Sequence, residues 1–123
     1  MTLHCWSSPR YAIALPPGHR FPMEKYALLR AGALAAGLVR AGETLHEPER
    51  VATDDLLRVH AARYVHDVEH GTLDPLAQRR IGLPWSEAFV ERAFRVANGT
   101  VQAMRHAAVH GVAMNLAGGT HHA

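Results

Sequence analysis

The sequence predicts a helix-rich α/β domain of three layers, with a mainly parallel sheet covered by helices on both faces. Three observations carry that expectation. Two short apolar runs, residues 11–15 and 112–116, show no polar alternation, which marks strands buried on both sides. Several segments between them have helical periodicity, the longest running from Ser86 toward His110. That helix passes through Gly111 straight into the second apolar run, so a helix feeds a strand as parallel connections require.

Taken in order, residues 11–15 read as the first strand and Pro16-Pro17-Gly18 as the loop that ends it. A helix opens over residues 19–26. Pro22 suits the first turn, where a missing N–H costs nothing, Glu24 favours the positive end of the helix dipole, and Gly42 is the expected stop. Residues 47–52 contain Pro48 and supply a short edge strand at most. Thr53 is a good N-cap, with Asp54 and Asp55 in the first turn. Leu56, Leu57, Tyr64, Val65 and Val68 give one broken helix or two short ones ending near Gly71. Residues 74–82, with Arg79 and Arg80, read as a polar surface loop. Ser86 then caps the long helix, whose apolar stripe is Phe89, Ala93, Phe94, Ala97, Val101, Met104 and Ala108. Glu91 and Arg95 pair at i,i+4 on the opposite face, and Asn98-Gly99 allows close packing on a neighbour.

Composition narrows the function classes. The 13 basic residues against 11 acidic ones nearly balance, so nothing points to a nucleic-acid partner. The ten histidines raise the charge steeply below about pH 6.5, the reference imidazole pKa. No apolar run approaches the ~20 residues that span a bilayer, the N-terminus lacks the order of a signal peptide, and Cys5 has no cysteine partner. No membrane association and a cytoplasmic location are expected, and Cys5 reads as an inert thiol. The richness in Ala, Arg and Gly suits a GC-rich bacterial source.

The chemistry concentrates at the end of the chain, Val112-Ala113-Met114-Asn115-Leu116-Ala117-Gly118-Gly119-Thr120-His121-His122-Ala123. Gly118 and Gly119 have no Cβ, so the backbone there can turn sharply and approach a ligand. Ligands of open α/β sheets bind beyond the carboxyl ends of strands, where a His pair is well placed for proton transfer. This stretch resembles the Gly-Gly-x-His-His-Ala signature of the histone deacetylase family, which has the arginase–deacetylase fold. The run His19-Arg20-Phe21-Pro22-Met23-Glu24-Lys25-Tyr26 is similar to one in the family's class IV branch. The phrase at residues 55–60, Tyr64-Val65 and the Gly82-Leu83-Pro84-Trp85 segment are similar to further parts of the family domain.

The resemblance implies hydrolysis of an acyl-lysine or another small acylated amine, dependent on Zn²⁺. By resemblance His122 is the general base and then the general acid, and His121 is its electrostatic partner beside the attacking water. Gly119 and Arg20 are the substrate-binding candidates. By resemblance Arg20 takes the role of the family arginine beneath the active-site tunnel, near the exit of the released acid. The other reading of Arg20 is an arginine that bonds loop carbonyls and holds the fold. The family's two Asp and one His metal ligands, and its late transition-state tyrosine, have no counterpart in residues 1–123, so no metal ligand is assigned. The expectation is the N-terminal part of a single deacetylase domain that continues beyond the chain, inactive alone and prone to self-association through an exposed apolar strand. The alternative is a non-catalytic helical binding module that keeps the motif without a metal site. Coding sequence beyond codon 123 separates the two, an Asp-x-His motif favouring the enzyme and a stop codon the module.

Other features carry less. His66/His70 and His106/His110 have the i,i+4 spacing of metal chelators but lack further ligands, and read as solvated helix faces. Trp85 and Phe89 read as core. Residues 81–84 hold no carboxylate where some family members have one at the tunnel rim, a departure that weakens the expected grip on a peptide backbone.

Overall fold

A computed structural model describes residues 2–119. Its centre is a three-stranded parallel sheet in the order β2-β1-β3, with β1 at His4–Trp6, β2 at Leu45–His46 and β3 at Ala113–Asn115. Five helices surround it: α1 Lys25–Ala35, α2 Thr53–Leu56, α3 Ala62–His70, α4 Pro75–Ile81 and α5 Glu87–His110. Strand alternation sends Cys5 and Leu45 to one face, where they pack with Val39, Leu116 and the Ala33-Leu34 end of α1. His4, Trp6, His46 and Asn115 point to the other face, along which α5 lies. The larger core, including Tyr11, Tyr26, Val65, Leu83, Phe89 and Phe94, joins α5 to α1 and α3.

The helix-rich α/β class and the parallel sheet match expectation, whereas several elements do not. The first strand is His4–Trp6, not residues 11–15. Backbone pairing decides it: Cys5 N–H donates to the Thr44 carbonyl, Ser7 N–H to His46, and the Trp6 carbonyl accepts from Leu116, each at 2.9 Å. Ser8 then caps a 3₁₀ turn at Pro9–Tyr11, which rotates the apolar run away from the sheet and leaves Tyr11 fully buried in the core. The edge strand likewise falls at Leu45–His46, ahead of residues 47–52. Those residues instead cross α5, with Val51 N–H donating to the Phe94 carbonyl at 3.0 Å.

Helix α1 stops before Gly37, whose φ is +68°, and not at Gly42. Gly42 serves the tight turn into β2, where the Arg40 carbonyl accepts from Thr44 and Leu45. Ala52 occupies the N-cap of α2, and Thr53 is its first helical residue. The break between α2 and α3 and the left-handed Gly71 stop agree with expectation. Residues 75–81, expected as loop, are helical. The Asp74 carboxylate accepts from Leu76 and Ala77 N–H at 2.8 and 3.1 Å, Pro75 sits in the first turn, and Gly82 ends the helix with φ +86°.

Helix α5 begins where expected, Ser86 Oγ accepting from Phe89 N–H at 2.9 Å, and Gly111 ends it. Its buried stripe is different. Phe89, Val90, Phe94 and Val96 enter the core, and Arg92, Gly99 and Ala103 are buried as well, so that Arg92, Val96, Gly99 and Ala103 form a second buried row at three-and-four spacing. Met104 is 70 % exposed and Ala108 is also exposed, so the C-terminal end of the expected stripe faces outward. Glu91 and Arg95 do pair, at 2.6 Å, although Arg95 is largely covered and also donates to the Pro48 carbonyl.

Candidate functional site

The three parallel strands end together at Trp6, His46 and Asn115. Asn115, the last residue of β3, is clamped on three sides. Its Oδ1 accepts from the Tyr11 hydroxyl at 3.0 Å, and its Nδ2 donates to the Val96 carbonyl at 3.0 Å and to Thr100 Oγ1 at 3.1 Å. Gly99 makes this possible. A Cβ there would overlap the Tyr11 hydroxyl and approach Asn115 Nδ2 to 2.8 Å, so only glycine lets β3 and Tyr11 lie this close to α5. Burial raises the Tyr11 phenol well above its ordinary pKa, so it remains a hydrogen-bond donor.

Arg92 sits beside this hub and is only 4 % exposed. Its Nε donates to the Tyr11 carbonyl at 2.8 Å and its guanidinium lies 4.8 Å from the centre of the Tyr26 ring. Burial lowers its pKa from the usual arginine value, and the Tyr26 side chain counters part of that effect. Nη2 finds no hydrogen-bond partner among the described residues. Arg92 was invisible to sequence reading because a charge on a helix ordinarily faces solvent.

From Asn115 the chain runs through buried Leu116 and Ala117 to exposed Gly118 and Gly119. A Cβ at Gly118 would meet nothing within 4 Å. Gly118 and Gly119 thus follow the carboxyl end of β3, while His121 and His122 lie outside the described residues. Arg20 is exposed and makes no hydrogen bond or ion pair among the described residues. Its neighbour His19 is fixed, Nδ1 accepting from Phe21 N–H at 3.2 Å while Nε2 lies 3.2 Å from the Gly82 carbonyl, to which it donates. His19 and Phe21 line a groove of about 400 Å³ with Ile13, Leu15 and Met23. No hydrogen bond among the described residues joins Arg20 to Gly119.

No three His, Cys, Asp or Glu side chains among the described residues could together hold a metal ion. His66 and His70 are exposed, with rings stacked 4.1 Å apart. His106 departs from the expected solvated face: it is half-buried and packs on His4, which lies 4.2 Å away. Cys5 is buried and burial raises its thiol pKa, in keeping with an inert role. Phe89 is core, but Trp85 is 38 % exposed and covers Gly71 while its indole N–H donates to the Val68 carbonyl at 2.8 Å.

A parallel sheet whose last strand delivers a glycine-rich loop beyond its carboxyl end defines an α/β domain with its site at the strand ends. The family model for the histone deacetylase domain matches residues 19–123, and the chain belongs to that family. It is also 44 % identical, over 115 residues, to an uncharacterized protein of Picosynechococcus sp.. That match takes in 94 % of this chain and 38 % of the relative, so the chain spans well under half the relative's length. Among the described residues no helix is long and apolar enough to cross a membrane.

Proposed function

We propose that the chain forms the N-terminal part of a zinc-dependent deacetylase and supplies its proton-transfer loop, acting on acyl-lysine or a small acylated amine. The observation that carries this reading is the hold on Asn115, which fixes the end of β3 six residues before His121. Amide hydrolysis requires a proton to leave the attacking water and another to reach the departing amine. His122 performs both transfers in turn. His121 beside it stabilises the developing charge, and Gly119 leaves room for the acyl group. Arg20 is the proposed contact for the released acid. The described residues do not provide a zinc site, so the ion's ligands belong to the proposal for the whole protein.

The direct test compares the 123-residue chain with the complete protein on a fluorogenic acetyl-lysine peptide with added Zn²⁺. The complete protein should hydrolyse it and the chain alone should not. Turnover by the chain above a heat-inactivated control would contradict the assignment of the metal ligands elsewhere. Inactivity of both on acyl-lysine and acylated polyamines would favour the binding-module reading.

A further inference from the structure

Away from the loop after β3, four histidines from three distant parts of the chain meet on the α5 face of the sheet. His4 Nδ1 and His46 Nε2 share a hydrogen bond of 2.7 Å, joining β1 to β2 through their side chains. The His4 ring stacks on His106 of α5 at 4.2 Å, and His106 lies 4.4 Å from His110. Trp6 closes the group, 4.7 Å from His46 and 5.6 Å from His106. The cluster opens onto a groove of about 530 Å³. The rings meet by stacking and by the one His4–His46 hydrogen bond, and no three such side chains among the described residues could together hold a metal ion.

Packing of this kind depends on charge. In the His4–His46 bond one nitrogen donates and the other accepts, so at least one ring must be neutral. Two imidazolium rings would present N–H groups to each other and lose the bond. A charged His4 would also face a charged His106 across the stack, at a separation where like charges repel. We propose that these imidazoles form an acid-sensitive latch, which holds β2 and the C-terminal half of α5 on β1 while neutral and releases them on taking up protons.

The surrounding groups do not compensate. From the β2 side the cluster faces Glu47, whose Oε1 already accepts from Ser8 Oγ at 2.7 Å and from Arg10 at 3.3 Å. From α5 it faces Arg105 and His110, neither of which brings a negative charge. On β3 the residue paired with His4 is Ala113, which does not titrate. Consistent with this, burial and then His4 lower the His46 pKa, while burial and then His4, His110 and His46 lower that of His106. As pH falls, the unfolded chain therefore binds protons first. The stabilisation is complete above the ordinary imidazole pKa and is lost as pH falls through the lower folded values.

The test is amide hydrogen exchange on the full chain, corrected for intrinsic rates, at the Cys5 and Ser7 amides that pair β1 with Thr44 and His46. Protection should fall about tenfold between about pH 7.5 and about pH 5. In His46→Gln, which can hydrogen-bond but cannot charge, the fall should shrink below about threefold. His70→Gln, in the other stacked pair, should leave it unchanged. An equal fall in His46→Gln, no fall in the parent chain, or abolition by His70→Gln would overturn the latch. Should His46→Gln fail to fold, ring-proton NMR of the parent chain decides. Midpoints of His46 and His106 below the ordinary imidazole value support the latch, and midpoints at or above it refute it.

Discussion

The two halves of α5 are attached to the molecule by different forces. The first half, Glu87 to about Thr100, buries Phe89, Val90, Arg92, Phe94, Val96 and Gly99, and its Val96 carbonyl and Thr100 hydroxyl hold Asn115. In the second half only Ala103 is buried, Met104 and Val109 are 70 % and 77 % exposed, and His106 contacts the sheet through imidazole rings. The core-packed half fixes the strand that delivers the candidate site. The other half depends on side chains that titrate. One continuous helix thus joins an anchor made mainly by core packing to the proposed pH-dependent attachment.

Substitutions in the two halves should therefore differ sharply. Phe94→Ala removes a buried ring from the core and should cost about 4 kcal/mol in chemical denaturation. Met104→Ala, on the exposed side of the second half, should change stability by less than about 0.5 kcal/mol. Comparable losses at the two positions would break the distinction.

A smaller effect is expected at the hub itself. Tyr11→Phe keeps the buried ring but deletes the donor to Asn115 Oδ1, and should cost about 1 kcal/mol. Because Asn115 keeps its bonds to Val96 and Thr100, β3 should stay paired with β1, as read by amide exchange at Leu116, which donates to the Trp6 carbonyl. Loss of that protection would mean that Tyr11, and not α5, holds the strand.

A still smaller change in fold stability, but a visible one in association, concerns β3. It lies at one end of the strand order, and Met114 is 49 % exposed. Met114→Lys should leave the melt nearly unchanged while reducing self-association measured by light scattering, since an edge lysine opposes strand addition. Identical scattering from both proteins would place any association elsewhere.

The same contrast explains what the sequence could reveal. Ser86, Gly111 and the apolar run after it mark α5 and β3 through local signals, and the structure agrees on all of them. Gly71 and the acidic first turn of α2 were equally legible. The first strand was not, because three residues carrying His and Trp show no period long enough to recognise. For α4 the signals were present in Asp74, Pro75 and Gly82, but the polar character of the segment suggested loop. The second buried row of α5 escaped notice because it contains an arginine, a glycine and an alanine in place of large apolar side chains. The imidazole cluster joins positions 4, 46 and 106, and no local pattern encodes such a meeting. At the candidate site, Gly119 was located through its strand, whereas Arg92 and Tyr11 became apparent only through tertiary packing.

His122 is proposed to move protons without binding the metal. In the complete protein, His122→Ala should lower acetyl-lysine hydrolysis by at least about 10²-fold, the scale of general acid–base catalysis. Zinc content measured by atomic absorption on the same preparation should stay at the parent level. Retained activity would remove His122 from the reaction, and loss of zinc would make it a ligand, in either case contradicting the proton-transfer role.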